Sequence, residues 1–168
     1  ALKRIGETDN TLFVFTSDNG CSKAAGIGEL AGKGHVVSAH LRGSKADLWD
    51  GGHRIPFIVK WPGKVKPGSQ SDQLICLTDL FATVSEILGS KLPKGSAEDS
   101  VSFLPALSGK PIVSTRNGVI HHSISGHFAY RQGQWKLLLA RASGGWTSPQ
   151  ESQAKGALPA QLYDMKTD

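Results

Sequence analysis

The run T-L-F-V-F-T at Thr11–Thr16 is apolar and β-branched without alternation, and it ends in Ser17-Asp18-Asn19-Gly20. A strand that is apolar on both sides suits a sheet covered on both faces, as parallel sheets in α/β folds are. Such folds bind ligands beyond the carboxyl ends of their strands, and Asp18 and Asn19 stand at such an end. A carboxylate and an amide carbonyl are hard oxygen donors, suited to Ca²⁺ or Mg²⁺. Gly20 would let the chain turn sharply away from them. The same four residues also fit an Asx-type turn that merely closes the strand, and taken alone they favour that reading.

The remaining pattern is coarse but readable. The glycine-rich stretch A-A-G-I-G-E-L-A-G-K-G, followed by L-R-G-S-K, predicts a long surface loop. P-F-I-V-K-W is strand-like, with Pro-Gly turns after it. T-D-L-F-A-T-V-S-E-I-L-G predicts a helix capped by Thr78 or Asp79. Its apolar face would be Leu80, Phe81, Val84, Ile87 and Leu88, and Gly89 would end it. A short helical turn is expected at Phe103–Leu107. Beyond Gly118 the pattern turns to strands: G-V-I-H-H-S-I, then H-F-A-Y-R-Q-G-Q-W-K-L-L-L-A, then Q-L-Y-D-M. The middle one reads as a hairpin turning at Gln132–Gly133. The expected organisation is an α/β part over residues 1–115 and an antiparallel β part over residues 116–168.

Composition narrows the function classes. The chain has 168 residues, 39% hydrophobic, and no apolar run long enough to span a bilayer. Its net charge of +5 is scattered, without a basic run interleaved with aromatic residues, which argues against a nucleic-acid surface. The first residues lack the basic-then-apolar layout of a signal peptide. Cys21 and Cys76 have no metal-type spacing, and the sequence leaves free thiols and a disulfide equally open.

The strongest signal is the block L-R-G-S-K-A-D-L-W-D-G-G-H-R-I-P-F-I-V-K-W-P-G, about twenty residues after S-D-N-G. Together they resemble the type I sulfatases, the arylsulfatase family of the alkaline-phosphatase-like superfamily. Members typically read L-R-G-G-K, then an acidic residue before G-G-x-R-x-P, then a strand ending in W-P-G. Leu41, Arg42, Gly43, Lys45, Asp50, Gly51, Gly52, Arg54, Pro56 and Trp61–Gly63 match, while Ser44 replaces a usual Gly and Asp50 a usual Glu. T-D-L-F-A-T-V-S-E-I-L-G is similar to a family helix with Ala82 in place of Pro. D-S-V-S-F-L-P-A-L-S-G-K, Y-R-Q-G-Q-W-K-L-L-L and Q-L-Y-D-M-K-T-D resemble family segments in the same order.

The resemblance implies a partial alkaline-phosphatase-like α/β fold, a mixed sheet with helices and a small C-terminal antiparallel β subdomain. It implies the C-terminal part of a hydrolase of sulfate esters. Asp18 and Asn19 would be metal ligands, for Ca²⁺, and Lys45 the catalytic cation that binds the sulfate. The family nucleophile motif, C-x-P-S-R or its serine version, is absent. Cys21 precedes Ser-Lys-Ala and Cys76 precedes Leu-Thr-Asp. The formylglycine would therefore lie on an N-terminal part, and this chain alone would be inactive. Arg54 and Asp50 would orient the Lys45 segment. His40, His53, His121, His122 and His127 match no catalytic position and read as surface or packing residues. Expected partners are a sulfated small molecule or sulfated glycan, with self-association of the chain itself, no nucleic acid and no membrane. Trp146 could stack on a sugar or simply pack its loop. Export of the parent enzyme follows from the family. The alternatives are a phosphoester or phosphonate hydrolase of the same superfamily, and a non-catalytic remnant or glycan-binding module.

Overall fold

A computed structural model describes residues 1–113 and 116–168. In chain order the elements are β1 (Phe13–Thr16), α1 (Ile27–Gly32), β2 (Phe57–Lys60), α2 (Asp79–Ile87) and α3 (Leu104–Leu107). Four strands follow: β3 (Val119–His122), β4 (Phe128–Gln132), β5 (Trp135–Leu138) and β6 (Gln161–Asp164). The chain divides into two compact units, each built from two stretches of sequence. One is Ala1–Phe15 with Phe57–Val119, the other Thr16–Pro56 with Ile120–Asp168. The boundary expected at residue 115 falls outside the described residues.

In the first unit β1 pairs with β2. Phe13, Phe15 and Ile58 are about half exposed, at 49%, 54% and 59%. The unalternating apolar run predicts cover on both faces; within this chain one face of the pair is left about half exposed. The predicted helix is present as α2, but its buried positions are Asp79, Ala82 and Thr83. Phe81, Val84 and Leu88, from the expected apolar face, are exposed. Hydrogen bonds fix this choice. The Asp79 carboxylate accepts from the Cys76 and Val101 amides, and from the Arg116 guanidinium through both oxygens at 2.7 and 2.8 Å. Burial alone would raise the Asp79 pKa, but Arg116 and the two amides hold it below the usual carboxylate range. Thr83 Oγ1 donates to the Asp79 carbonyl and accepts from the Phe103 amide. Phe103, just before α3, packs edge-on against Phe57 with 5.3 Å between ring centres.

The second unit holds the four-stranded sheet in the order β3-β4-β5-β6. β4 and β5 form the expected hairpin, with Gln132 opposite Trp135. The two-residue loop is Gly133–Gln134, one position later than predicted, because Gly133 takes the positive φ of 54° that such a turn requires. β6 runs antiparallel to β5, with Leu137 opposite Leu162. Leu48, Trp49, Ala129, Leu138 and Ala140 form the core, with Tyr163 packed against it. The glycine-rich stretch is not loop throughout. Ala24, Glu29, Leu30 and Ala31 support a short 3-10 turn and then α1, and Gly26 at φ 72° provides the break between them.

Candidate functional site

The chain leaves β1 through Ser17–Gly20 and lies directly on the Gly51–Gly52 backbone. The Gly20 amide donates to the Gly52 carbonyl (3.0 Å), and the Lys45 amide to the Cys21 carbonyl (3.0 Å). A Cβ on Gly20 would sit 1.8 Å from the Gly51 oxygen, and one on Gly51 2.2 Å from the Gly43 oxygen. Glycine at these positions lets two loops pack backbone to backbone. The turn also closes on itself. Ser17 Oγ donates to the Asn19 carbonyl, and Asn19 Nδ2 to the Gly20 carbonyl. Asn19 therefore enters the turn through its donor, which leaves its amide oxygen uncommitted.

Asp18, Asn19 and Lys45 line one cleft of about 470 Å³, with Ser17, Arg54 and Pro56 among its other walls. Asp18 is exposed, and Asn19 and Lys45 are half-buried. Among the described residues, neither the Asp18 carboxylate nor the Lys45 ammonium has a hydrogen-bond or ion-pair partner. Chemically the cleft offers hard oxygens beside an ammonium and a guanidinium, a set that accepts a hard cation and an oxyanion together. Asp18 and Asn19 fit Ca²⁺ in donor type but not in number, since calcium takes six to eight oxygens. Among the described residues no three His, Cys, Asp or Glu side chains cluster for a metal.

Asp50 and Arg54, expected to act as a pair, are only loosely joined at 3.9 Å, and the Arg54 side chain is 59% exposed. The close partner of Asp50 is Lys136 at 2.7 Å. Strand alternation puts Lys136 on the same side as Leu138, so the lysine is 2% exposed and its ammonium also donates to the Leu48 carbonyl at 2.6 Å. Burial lowers the Lys136 pKa, against the pull of Asp50. Burial would raise that of Asp50, but Lys136, Arg131 and Arg54 keep it below the usual range. Beside them the His53 and His121 rings meet at 4.0 Å. Burial, with Lys136 adding repulsion, pushes His53 down to about 4. Burial, His53 and Lys136 push His121 down to about 3. The two rings pack against each other, and burial favours the neutral form of both. Cys21 and Cys76 are both free thiols.

Sequence reasoning missed Asp47. Its side chain is fully buried, and its carboxylate accepts from the amides of Ser44 (2.9 Å), Trp146 (2.8 Å) and Thr147 (3.0 Å), and from Thr147 Oγ1. The Trp146 loop is further ordered by Glu151, which accepts from the Arg141, Ala142 and Gly144 amides. Trp146 itself is 39% exposed.

The family model described as Sulfatase matches residues 1–90. An N-acetylgalactosamine-6-O-sulfatase of Bacteroides thetaiotaomicron is 36% identical over 167 residues, 96% of this chain and 32% of that protein. A steryl-sulfatase of Rattus norvegicus is 35% identical over 124 residues, 72% of this chain and 21% of that protein. A solved structure concerned with glycosaminoglycan metabolism by Bacteroides thetaiotaomicron superimposes with a TM-score of 0.80 at 34% identity. That match covers 99% of this chain and 35% of the other. The fold is thus the mixed α/β architecture of the alkaline-phosphatase-like class. Within that class, the chain belongs to the sulfatase family. It spans about a third of the length of the Bacteroides sulfatase and about a fifth of the steryl-sulfatase. No helix among the described residues is long and apolar enough to cross a membrane.

Proposed function

We propose that this chain is the C-terminal part of an enzyme that hydrolyses sulfate esters, and that it contributes part of a cation and sulfate site. The observation that carries the reading is the single cleft shared by Asp18, Asn19 and Lys45. Asp18 and Asn19 would hold Ca²⁺ together with ligands from elsewhere in the enzyme. Bound there, the metal would supply fixed positive charge to oxygens that gain negative charge during the reaction. Lys45 binds the sulfate as a compact point charge on a flexible stem, whose backbone is held in place by the Lys45 amide bond to the Cys21 carbonyl. The nucleophile would come from outside this chain, so the chain alone has no turnover. The sulfatase that acts on N-acetylgalactosamine 6-O-sulfate, by its name, makes a sulfated amino sugar the first substrate class to assay. Export of the parent enzyme belongs to the same reading, since sulfated glycans lie outside the cytoplasm.

The test is sulfate release by the full-length enzyme from 4-nitrophenyl sulfate and from 6-O-sulfated N-acetylgalactosamine, with 4-nitrophenyl phosphate alongside. Release of sulfate in large preference to phosphate is expected. Preference for phosphate would make the phosphoester-hydrolase alternative correct, and no turnover of either would favour a non-catalytic module.

A further inference from the structure

Asp47 stands two residues from Lys45 and is a fully buried carboxylate with no cation against it among the described residues. Burying such a group is costly unless donors surround it, and here four do so. They come from both sides: the Ser44 amide from the Lys45 segment, and two amides and a hydroxyl from Trp146 and Thr147. Other bonds tie the same two segments. The Leu48 amide donates to the Ser143 carbonyl at 2.8 Å, and Ser44 Oγ lies 3.4 Å from Thr147 Oγ1. A Cβ on Gly145 would meet the Ala46 oxygen at 2.3 Å, so these backbones also touch. Lys45 thus sits on a short arc, Gly43–Asp47. Cys21 holds one point of that arc through the Lys45 amide, and the Trp146 loop holds the other through Asp47.

We propose that Asp47 is a positioning residue for Lys45: its carboxylate locks the arc to the Trp146 loop and so fixes where the ammonium stands in the cleft. The proposal rests on the reading of Lys45 as the sulfate-binding cation. It also links that cation to Trp146–Thr147, so substitutions in the Trp146 loop reach the reacting sulfate through Asp47 without touching it. Asparagine cannot replace the carboxylate. It offers one acceptor oxygen where two are used, and turns an N–H₂ toward donors.

The test is a double-mutant cycle in the full-length enzyme, read as kcat and KM for 4-nitrophenyl sulfate at a temperature where all variants are folded by near-ultraviolet circular dichroism. Asp47→Asn should lower kcat by roughly tenfold or more with Lys45 present, the scale of a misplaced catalytic group. It should lower kcat by less than about twofold in a Lys45→Ala background, because the group it positions is gone. Equal losses in both backgrounds would overturn the proposal and leave Asp47 a general stabiliser. Lys45→Ala without effect would instead overturn the reading of the site itself. If Asp47→Asn does not fold, Thr147→Val takes its place, since it removes one donor of four. Its expected loss is about threefold with Lys45 present and none without it, and equal losses would again overturn the proposal.

Discussion

Gly20 and Gly51 lie so close that a methyl group on the first would stand 1.8 Å from the carbonyl oxygen of the second. The turn that carries Asp18 and Asn19 is therefore set against the Lys45 segment by backbone contact. Neither partner is a flexible side chain that can yield. Gly20→Ala must push the loops apart, and overpacking of this kind typically costs ~1–3 kcal/mol. At this chain length that is a fall in Tm of roughly 2–12 °C, measurable by calorimetry. An unchanged Tm would mean that the loops do not pack as described.

The paired histidines make stability depend on pH. Burial holds His53 and His121 neutral, with folded values of about 4 and about 3 against 6.5 for the free side chain. The unfolded chain thus takes up protons first. Their contribution is complete above about pH 6.5 and declines as the pH falls from there toward the folded values. Asp50 and Asp79, held below 3.8, add their own loss only at still lower pH. Tm should fall steadily between pH 6.5 and 4.5, and His121→Phe should flatten that slope. The same slope in wild type and variant would remove the pair as its cause.

What could be read from the sequence follows the kind of force involved. S-D-N-G and L-R-G-S-K stand out through their resemblance to family motifs, and Ser17–Gly20 and Lys45 line one cleft. The hairpin was legible from strand pattern and turn chemistry, short of one residue in its loop. Lys136 had a usable signal, since in Q-W-K-L-L-L it shares the phase of Leu138, but a lysine there is ordinarily assigned to solvent. Asp47 had none: its partners Trp146 and Thr147 are about a hundred positions away. For α2 the period marks an apolar face that this chain leaves largely exposed, because the hydrogen bonds of Asp79 and Thr83 bury the other side.

The uncovered apolar surface in the first unit should make the isolated chain associate with itself. Phe13, Phe15 and Ile58 on the β1–β2 pair, and Phe81, Val84 and Leu88 on α2, are all more than a third exposed. Sedimentation should show mass rising with concentration, and Phe15→Ser with Ile58→Ser should shift the chain toward monomer. A wild-type chain that stays monomeric at high concentration would contradict this.

Calcium binding by the isolated chain should be weak, at millimolar concentration or above. Asp18 and Asn19 supply at most three oxygens where calcium needs six to eight. Titration calorimetry should show no saturable heat in the micromolar range, and tight binding abolished by Asp18→Ala would show that the chain holds a complete site.

The central claim is that Lys45 stabilises charge that develops on the sulfate. The direct measurement is kcat and KM of Lys45→Ala and Lys45→Arg in the full-length enzyme with 4-nitrophenyl sulfate. The account predicts a kcat loss on the order of a hundredfold or more for alanine, with a smaller change in KM. Arginine should restore activity only partly, since a planar fork replaces a point charge. Near-wild-type kinetics for both variants would contradict it.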